Sequence, residues 1–111
     1  MTGLSPRAQE LQARLLRRYL DSIPEKKAEL ERAWEAVQND AWSADALARF
    51  KTPVHRLAGS AGSYGLDELG QAARALDVRL KSLNPTPEQR DEIQGQFGVL
   101  LGALAEAQEK T

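Results

Sequence analysis

The chain contains no cysteine and a single histidine, His55. The first absence excludes disulfides and thiolate metal sites. The second excludes a multi-histidine metal centre. β-Branched residues are scarce: four valines and two isoleucines stand against seventeen alanines and sixteen leucines. Good helix formers therefore dominate and strand formers are rare, which makes the chain all-α. There is no long apolar run. The longest, Val99–Ala105, is interrupted by Gly102 and falls far short of the ~20 residues of a membrane span. Neither sign of charge is in excess: 15 basic and 16 acidic residues leave a net charge of −1. That balance gives no electrostatic footprint for nucleic acid or for an anionic membrane surface. The opening residues, MTGLSPRAQELQ, carry no apolar signal region. A soluble, cytoplasmic protein is the expectation, and 111 residues suit one domain spanning 1–111.

What is present is helical periodicity. Leu16, Leu20, Ile23, Leu30, Trp34 and Val37 form one stripe at three- and four-residue spacing. The stripe keeps its phase across Pro24, so the spacing predicts one long first helix, from about Pro6 to Gln38, kinked at that proline. Ser22 and Glu25 offer the alternative of a fresh helix start through a capping box. A turn over Asn39–Ser43 leads to a second helix capped by Ser43 and ending near Gly62. Leu47, Phe50, Val54, Leu57 and Ala61 are its apolar face, and Pro53 predicts a bend. Gly62 to Gly65 is the next turn. A third helix carries Leu66, Leu69, Ala73, Leu76, Leu80 and Leu83, and Asn84-Pro85 stops it. Thr86, Pro87 and Gln89 then form a capping box for a fourth helix with Ile93, Phe97, Leu100, Leu101 and Leu104 inward. Four amphipathic helices joined by short turns bury their stripes together as an up-down-up-down antiparallel four-helix bundle. Gly95, Gly98 and Gly102 line one side of the last helix, which predicts close approach of a neighbouring helix there.

On a wheel of about 100° per residue, His55 lies roughly 130° from the centre of the second helix's apolar stripe. The imidazole therefore faces solvent. Its neighbours on that side are Ala48, Lys51, Thr52, Gly59 and Gly62, mostly small. Glycine one turn away does not stabilise a helix; it leaves the ring open to a bulky partner. On the third helix, Gly70, Arg74, Asp77 and Lys81 form a flank that faces the second helix if the two run antiparallel. Asp77 is then the acceptor that fixes one imidazole tautomer and leaves the other nitrogen as nucleophile. A lone histidine on a soluble helix is more often plain surface. A metal site lacks ligands, and acid–base catalysis lacks a pocket. The glycine-rich run Gly59–Gly65 follows a helix and lacks the Gly-Lys-Ser/Thr ending, so it is a poor phosphate loop. Nothing binds ATP in a known way, which argues against a self-sufficient kinase.

The segment from Val54 to Leu66 resembles the signature of histidine-containing phosphotransfer (HPt) domains, the phosphocarrier bundles of two-component phosphorelays. The family pattern is His-x-Leu-Lys-Gly-Ser/Ala-Ala, with a second glycine six residues after the first. His55, Leu57, Gly59, Ser60, Ala61 and Gly65 match it. Glutamate or glutamine usually stands 22 residues after the histidine; this chain has Asp77 there. In the family that residue hydrogen-bonds the imidazole. The family lysine three residues after the histidine, which helps hold the phosphoryl charge, is Ala58 here. Lys51 and Arg56 are the nearby cations, pointing in other directions. Pro53 lies two residues before the histidine.

The resemblance implies a phosphocarrier rather than an ATP-using kinase. His55 would accept a phosphoryl group from a receiver-domain aspartate and pass it to another receiver. Lys51, Thr52, Arg56, Gly59 and Gly62 would form the docking face. The partners implied are receiver domains of a hybrid sensor kinase and a response regulator, with Mg²⁺ supplied by the receiver and no cofactor in this chain. A free-standing monomeric shuttle is expected. Two rivals remain: a module that binds receivers without transferring phosphate, and a structural bundle in which His55 is incidental.

Overall fold

A computed structural model describes residue 3 and residues 5–110. Met1, Thr2, Leu4 and Thr111, at the ends of the expected 1–111 domain, lie outside the described residues. Five α-helices follow one another: α1 (Pro6–Asp21), α2 (Ile23–Asn39), α3 (Ala44–Ser60), α4 (Asp67–Arg79) and α5 (Pro87–Gln108). A 3₁₀ turn, Ala61–Tyr64, joins α3 to α4. No strand occurs among the described residues.

The expected single helix over Pro6–Gln38 is two helices, α1 and α2. Pro24 sits in the first turn of α2, where its missing N–H costs nothing. The break is one residue long. Ser22 keeps right-handed helical angles (φ −84°, ψ −10°), and its N–H still reaches the carbonyls of Arg18 and Tyr19 at 3.2 and 3.1 Å. Ser22 makes no side-chain cap. Its hydroxyl instead donates to the Tyr19 carbonyl at 2.6 Å and accepts from Lys26 Nζ at 2.6 Å. The capping-box alternative with Glu25 therefore does not form. The stripe survives the break, and Leu20, Ile23, Leu30 and Val37 are all buried.

Other boundaries follow the sequence closely. Ser43 caps α3, accepting from the Ala46 N–H at 3.1 Å. Thr86 and Gln89 make the reciprocal capping box of α5, with Pro87 at its first position. α3 runs through Pro53 as continuous helix and ends at Ser60, two residues before the expected Gly62. From Ala61 the chain tightens into the 3₁₀ turn, and Gly65 closes it in the left-handed region (φ 76°), where a Cβ would be strained. α4 ends earlier than its stripe predicted. Leu80 is buried, but the turn after Arg79 tightens, and Leu83 is left 39% exposed.

One apolar cluster takes side chains from every helix, including Tyr19 and Leu20 of α1, Leu57 and Ala61 from α3 onward, and Leu76 of α4. Trp34 packs on Phe50 and Phe97 at ring-centroid distances of 5.3 and 5.1 Å, with Trp42 edge-on to it at 5.4 Å. Such aromatic pairs add to the burial of their area. α4 lies close on the 3₁₀ turn because residue 70 is glycine: a Cβ there would sit 3.3 Å from the Gly62 nitrogen. The three glycines of α5 do not serve this purpose. A Cβ at Gly95, Gly98 or Gly102 would meet nothing within 4 Å, so the expected close approach of a neighbouring helix is overturned. All three face solvent.

α1 is fastened to the other helices near its C-terminal end. The Tyr19 hydroxyl bonds Ser60 Oγ at 2.7 Å, and the ring stacks on Tyr64 at 4.3 Å. Burial pushes the Tyr19 phenol above its ordinary value, with the Ser60 bond acting the other way and Tyr64 adding to the rise. Further out, Leu11 and Leu15 are exposed. The molecule measures 51 × 25 × 20 Å.

Candidate functional site

α3 presents one face to the core and the opposite face to solvent. Val54 and Leu57 are buried, which turns the two residues between them, His55 and Arg56, outward. The His55 side chain is 73% exposed. Asp77 approaches it from α4, and His55 Nδ1 lies 2.9 Å from Asp77 Oδ2. With Nδ1 as donor, Nε2 carries the lone pair and faces solvent. Aspartate is one methylene shorter than the side chain the resemblance leads one to expect here, yet it spans the gap between the helices.

Asp77 is the least exposed member of the site, with 16% of its side chain accessible. Its second oxygen is also occupied: Lys51 Nζ lies 3.2 Å from Oδ1 and donates to the Asp77 backbone carbonyl at 3.3 Å. That carbonyl belongs to the last turn of α4, the negative end of a helix and a favourable place for a cation. Burial alone would raise the Asp77 carboxyl. The hydrogen bonds from His55 and Lys51, together with their charges, outweigh it and hold the group below its ordinary value of 3.8. Asp77 is therefore an anion at neutral pH with a partner on each oxygen.

The remaining residues named from the sequence separate into two groups. Gly59 and Gly62 are exposed beside His55, and a Cβ on either would meet nothing within 4 Å. Thr52 is exposed, with its hydroxyl turned back on the Ala48 carbonyl at 3.3 Å. These three lie with the ring on an open surface. Lys51 and Arg56 diverge. Lys51 turns towards α4 and is engaged with Asp77, whereas Arg56 turns towards α2 and pairs with Glu29 at 3.7 Å. Arg56 also lines a small cleft of about 150 Å³ with Lys26, Glu29, Leu30, Pro53 and Leu57. Ala58 is buried at 8% exposure, so its position faces inward rather than towards the ring. The Lys51–Asp77 contact was missed by sequence reasoning. Its signal was the four-residue spacing of Lys51 and His55, which puts both on the side of α3 that meets Asp77.

Among the described residues, no group of three or more metal-ligating side chains comes together, and no helix is long and apolar enough to cross a membrane. An accessible imidazole, held at one nitrogen by a carboxylate across a helix pair, defines a class of site suited to group transfer through the other nitrogen. The family model for the Hpt domain matches residues 14–109, and the chain belongs to that family, whose role is histidine phosphotransfer in two-component signalling. No curated protein and no solved structure matches the chain.

Proposed function

We propose that the protein is a phosphocarrier in which His55 takes a phosphoryl group from the aspartyl phosphate of one receiver domain and delivers it to the aspartate of another. The observation that carries this reading is the 2.9 Å contact between His55 Nδ1 and Asp77 on a ring that is 73% exposed. The Nε2 lone pair attacks phosphorus in line with the aspartyl oxygen. A P–N bond forms as the P–O bond breaks, and the carboxylate leaves with the electron pair. Nδ1 keeps its proton, shared with Asp77, whose negative charge offsets the positive charge that develops on the ring. Delivery runs the same step in reverse. The receiver contributes its aspartate and the Mg²⁺ that holds the phosphoryl oxygens, so this chain needs no cofactor of its own.

The bundle serves as a rigid stand. We read α2 to α5 as up-down-up-down, from contacts whose order reverses between neighbours: Glu29 with Arg56 and Trp34 with Phe50, then Gly62 with Gly70 and Lys51 with Asp77, then Arg79 with Glu92 while Asp67 and Ala107 line one cleft. The chain acts as one domain, docking receivers through the surface of His55, Thr52, Gly59 and Gly62 and working as a monomer in the cytoplasm. The upstream partner on this reading is the receiver of a hybrid sensor kinase, and the downstream partner that of a response regulator. A second reading, receiver binding without transfer, is favoured by one feature: Ala58 stands where the resemblance leads one to expect lysine.

Incubation with a receiver carrying radiolabelled aspartyl phosphate tests both. Transfer yields label on this chain that is stable to alkali and lost in acid, as a phosphoramidate is. His55→Gln abolishes it. Complex formation without label would support the second reading, and label persisting in His55→Gln would place the site elsewhere.

A further inference from the structure

Lys51 is engaged without a partner protein. Its ammonium reaches one oxygen of the Asp77 carboxylate at 3.2 Å and the Asp77 backbone carbonyl at 3.3 Å, while the other carboxylate oxygen meets His55 at 2.9 Å. Lys51 and His55 are one helical turn apart on α3, so the two meet a single side chain of α4 from one face. Among the described residues, these two are the ion-pair partners of Asp77. We propose that Lys51 is a positioning residue: it holds the Asp77 carboxylate so that the remaining oxygen takes the Nδ1 proton of His55. This rests on the reading of His55 as the phosphorylated residue.

The effect is geometric. A carboxylate tied at one oxygen turns about its Cβ–Cγ bond; tied at both, it keeps one oxygen on the ring. An acceptor fixed at Nδ1 favours the tautomer that carries its proton there and leaves the lone pair on Nε2. The site thereby gains its cation through the carboxylate, one turn before the histidine, although the position three residues after it is the buried Ala58.

The test uses Lys51→Met, which keeps the apolar stem and removes the charge, with Lys51→Arg as the conservative variant. Ring nitrogen NMR reports the tautomer directly, because His55 is the sole histidine. In the wild type the Nδ1–H form dominates. In Lys51→Met the ring signals move towards the mixture of tautomers seen for free imidazole, and Lys51→Arg restores them. Transfer from a phosphorylated receiver falls about tenfold in Lys51→Met, the scale on which loss of an orienting partner of a histidine acts. In an Asp77→Asn background, Lys51→Met causes no further loss. Circular dichroism of each variant checks that the helices persist. Were Lys51 a cation that touches the receiver, the ring signals would stay put and the two losses would multiply; either result overturns the proposal. If the wild type accepts no phosphoryl group while its tautomer still responds to Lys51→Met, the carrier reading falls and the positioning role of Lys51 stands.

Discussion

His55 and Asp77 are 22 residues apart in sequence and 2.9 Å apart in space. That pairing was legible because both residues fall on computable faces of regular helices, and a short turn forces the helices together. The Lys51 contact was not legible in the same way. Helical spacing puts Lys51 on the side of α3 that meets Asp77, but closing the contact depends on how far a flexible four-carbon stem reaches across the seam, which periodicity does not encode. Two predictions belong at this scale. Asp77→Asn keeps the size of the side chain and removes its charge; it should slow phosphorylation about tenfold without altering the helical circular dichroism. Equal rates in wild type and variant would remove Asp77 from the orienting role. Gly59→Gln should separate stability from function. The site is exposed and a Cβ there meets nothing within 4 Å. Glycine costs a helix about 1 kcal/mol relative to alanine, so the variant should unfold at the same or slightly higher urea concentration. Transfer should drop sharply, because a long side chain stands one turn from the ring. Unimpaired transfer would mean that receivers approach from another direction.

Among the elements, capping chemistry was the most readable feature. Ser43 and Thr86 start α3 and α5 where local sequence demands, since a cap is satisfied within a few residues. The break between α1 and α2 was harder to read. Phase continuity across Pro24 was real, but it describes where side chains point and not whether every backbone bond is made. The glycines of α5 misled for a related reason: glycine in a helix signals either a close neighbour or plain exposure, and only the packed structure separates them. Because Gly95 and Gly98 are open, Gly95→Ala and Gly98→Ala should each stabilise the protein by roughly 0.5–1 kcal/mol, read as a rise in urea midpoint. A fall would restore a close contact there. The fastening of α1 gives an opposite expectation. Tyr19→Phe retains the stack on Tyr64 and loses the bond to Ser60, so it should destabilise by about 0.5–1.5 kcal/mol. Proteolysis should become faster within α1 before it does within α3.

For the whole molecule, the depressed Asp77 carboxyl links folding to acidity. Its native form holds a proton less readily than its unfolded form. The stability it contributes is complete above the unfolded value and is lost as pH falls through the lower, native one. The urea midpoint of the wild type should therefore decline on acidification below about pH 5, and Asp77→Asn should decline less steeply. Parallel profiles would show that other carboxylates carry the acid sensitivity. The core itself tolerates no comparable adjustment: Leu57→Ala should cost on the order of 2–5 kcal/mol as a buried truncation, whereas His55→Gln on the exposed face should change stability by under about 0.5 kcal/mol. The aromatic cluster supplies the means to watch both kinds of event. The chain's two tryptophans, Trp34 and Trp42, stand edge-on with ring centroids 5.4 Å apart, and Trp34 also packs on Phe50 and Phe97. Both chromophores thus occupy one place, packed against the core, and Trp34 meets α3 through the buried Phe50 rather than through the exposed face of that helix. Their near-ultraviolet ellipticity should vanish in one step when side-chain packing melts, and stay unchanged on the arrival of a receiver at the imidazole, giving the molecule an optical channel for folding that is silent to signalling.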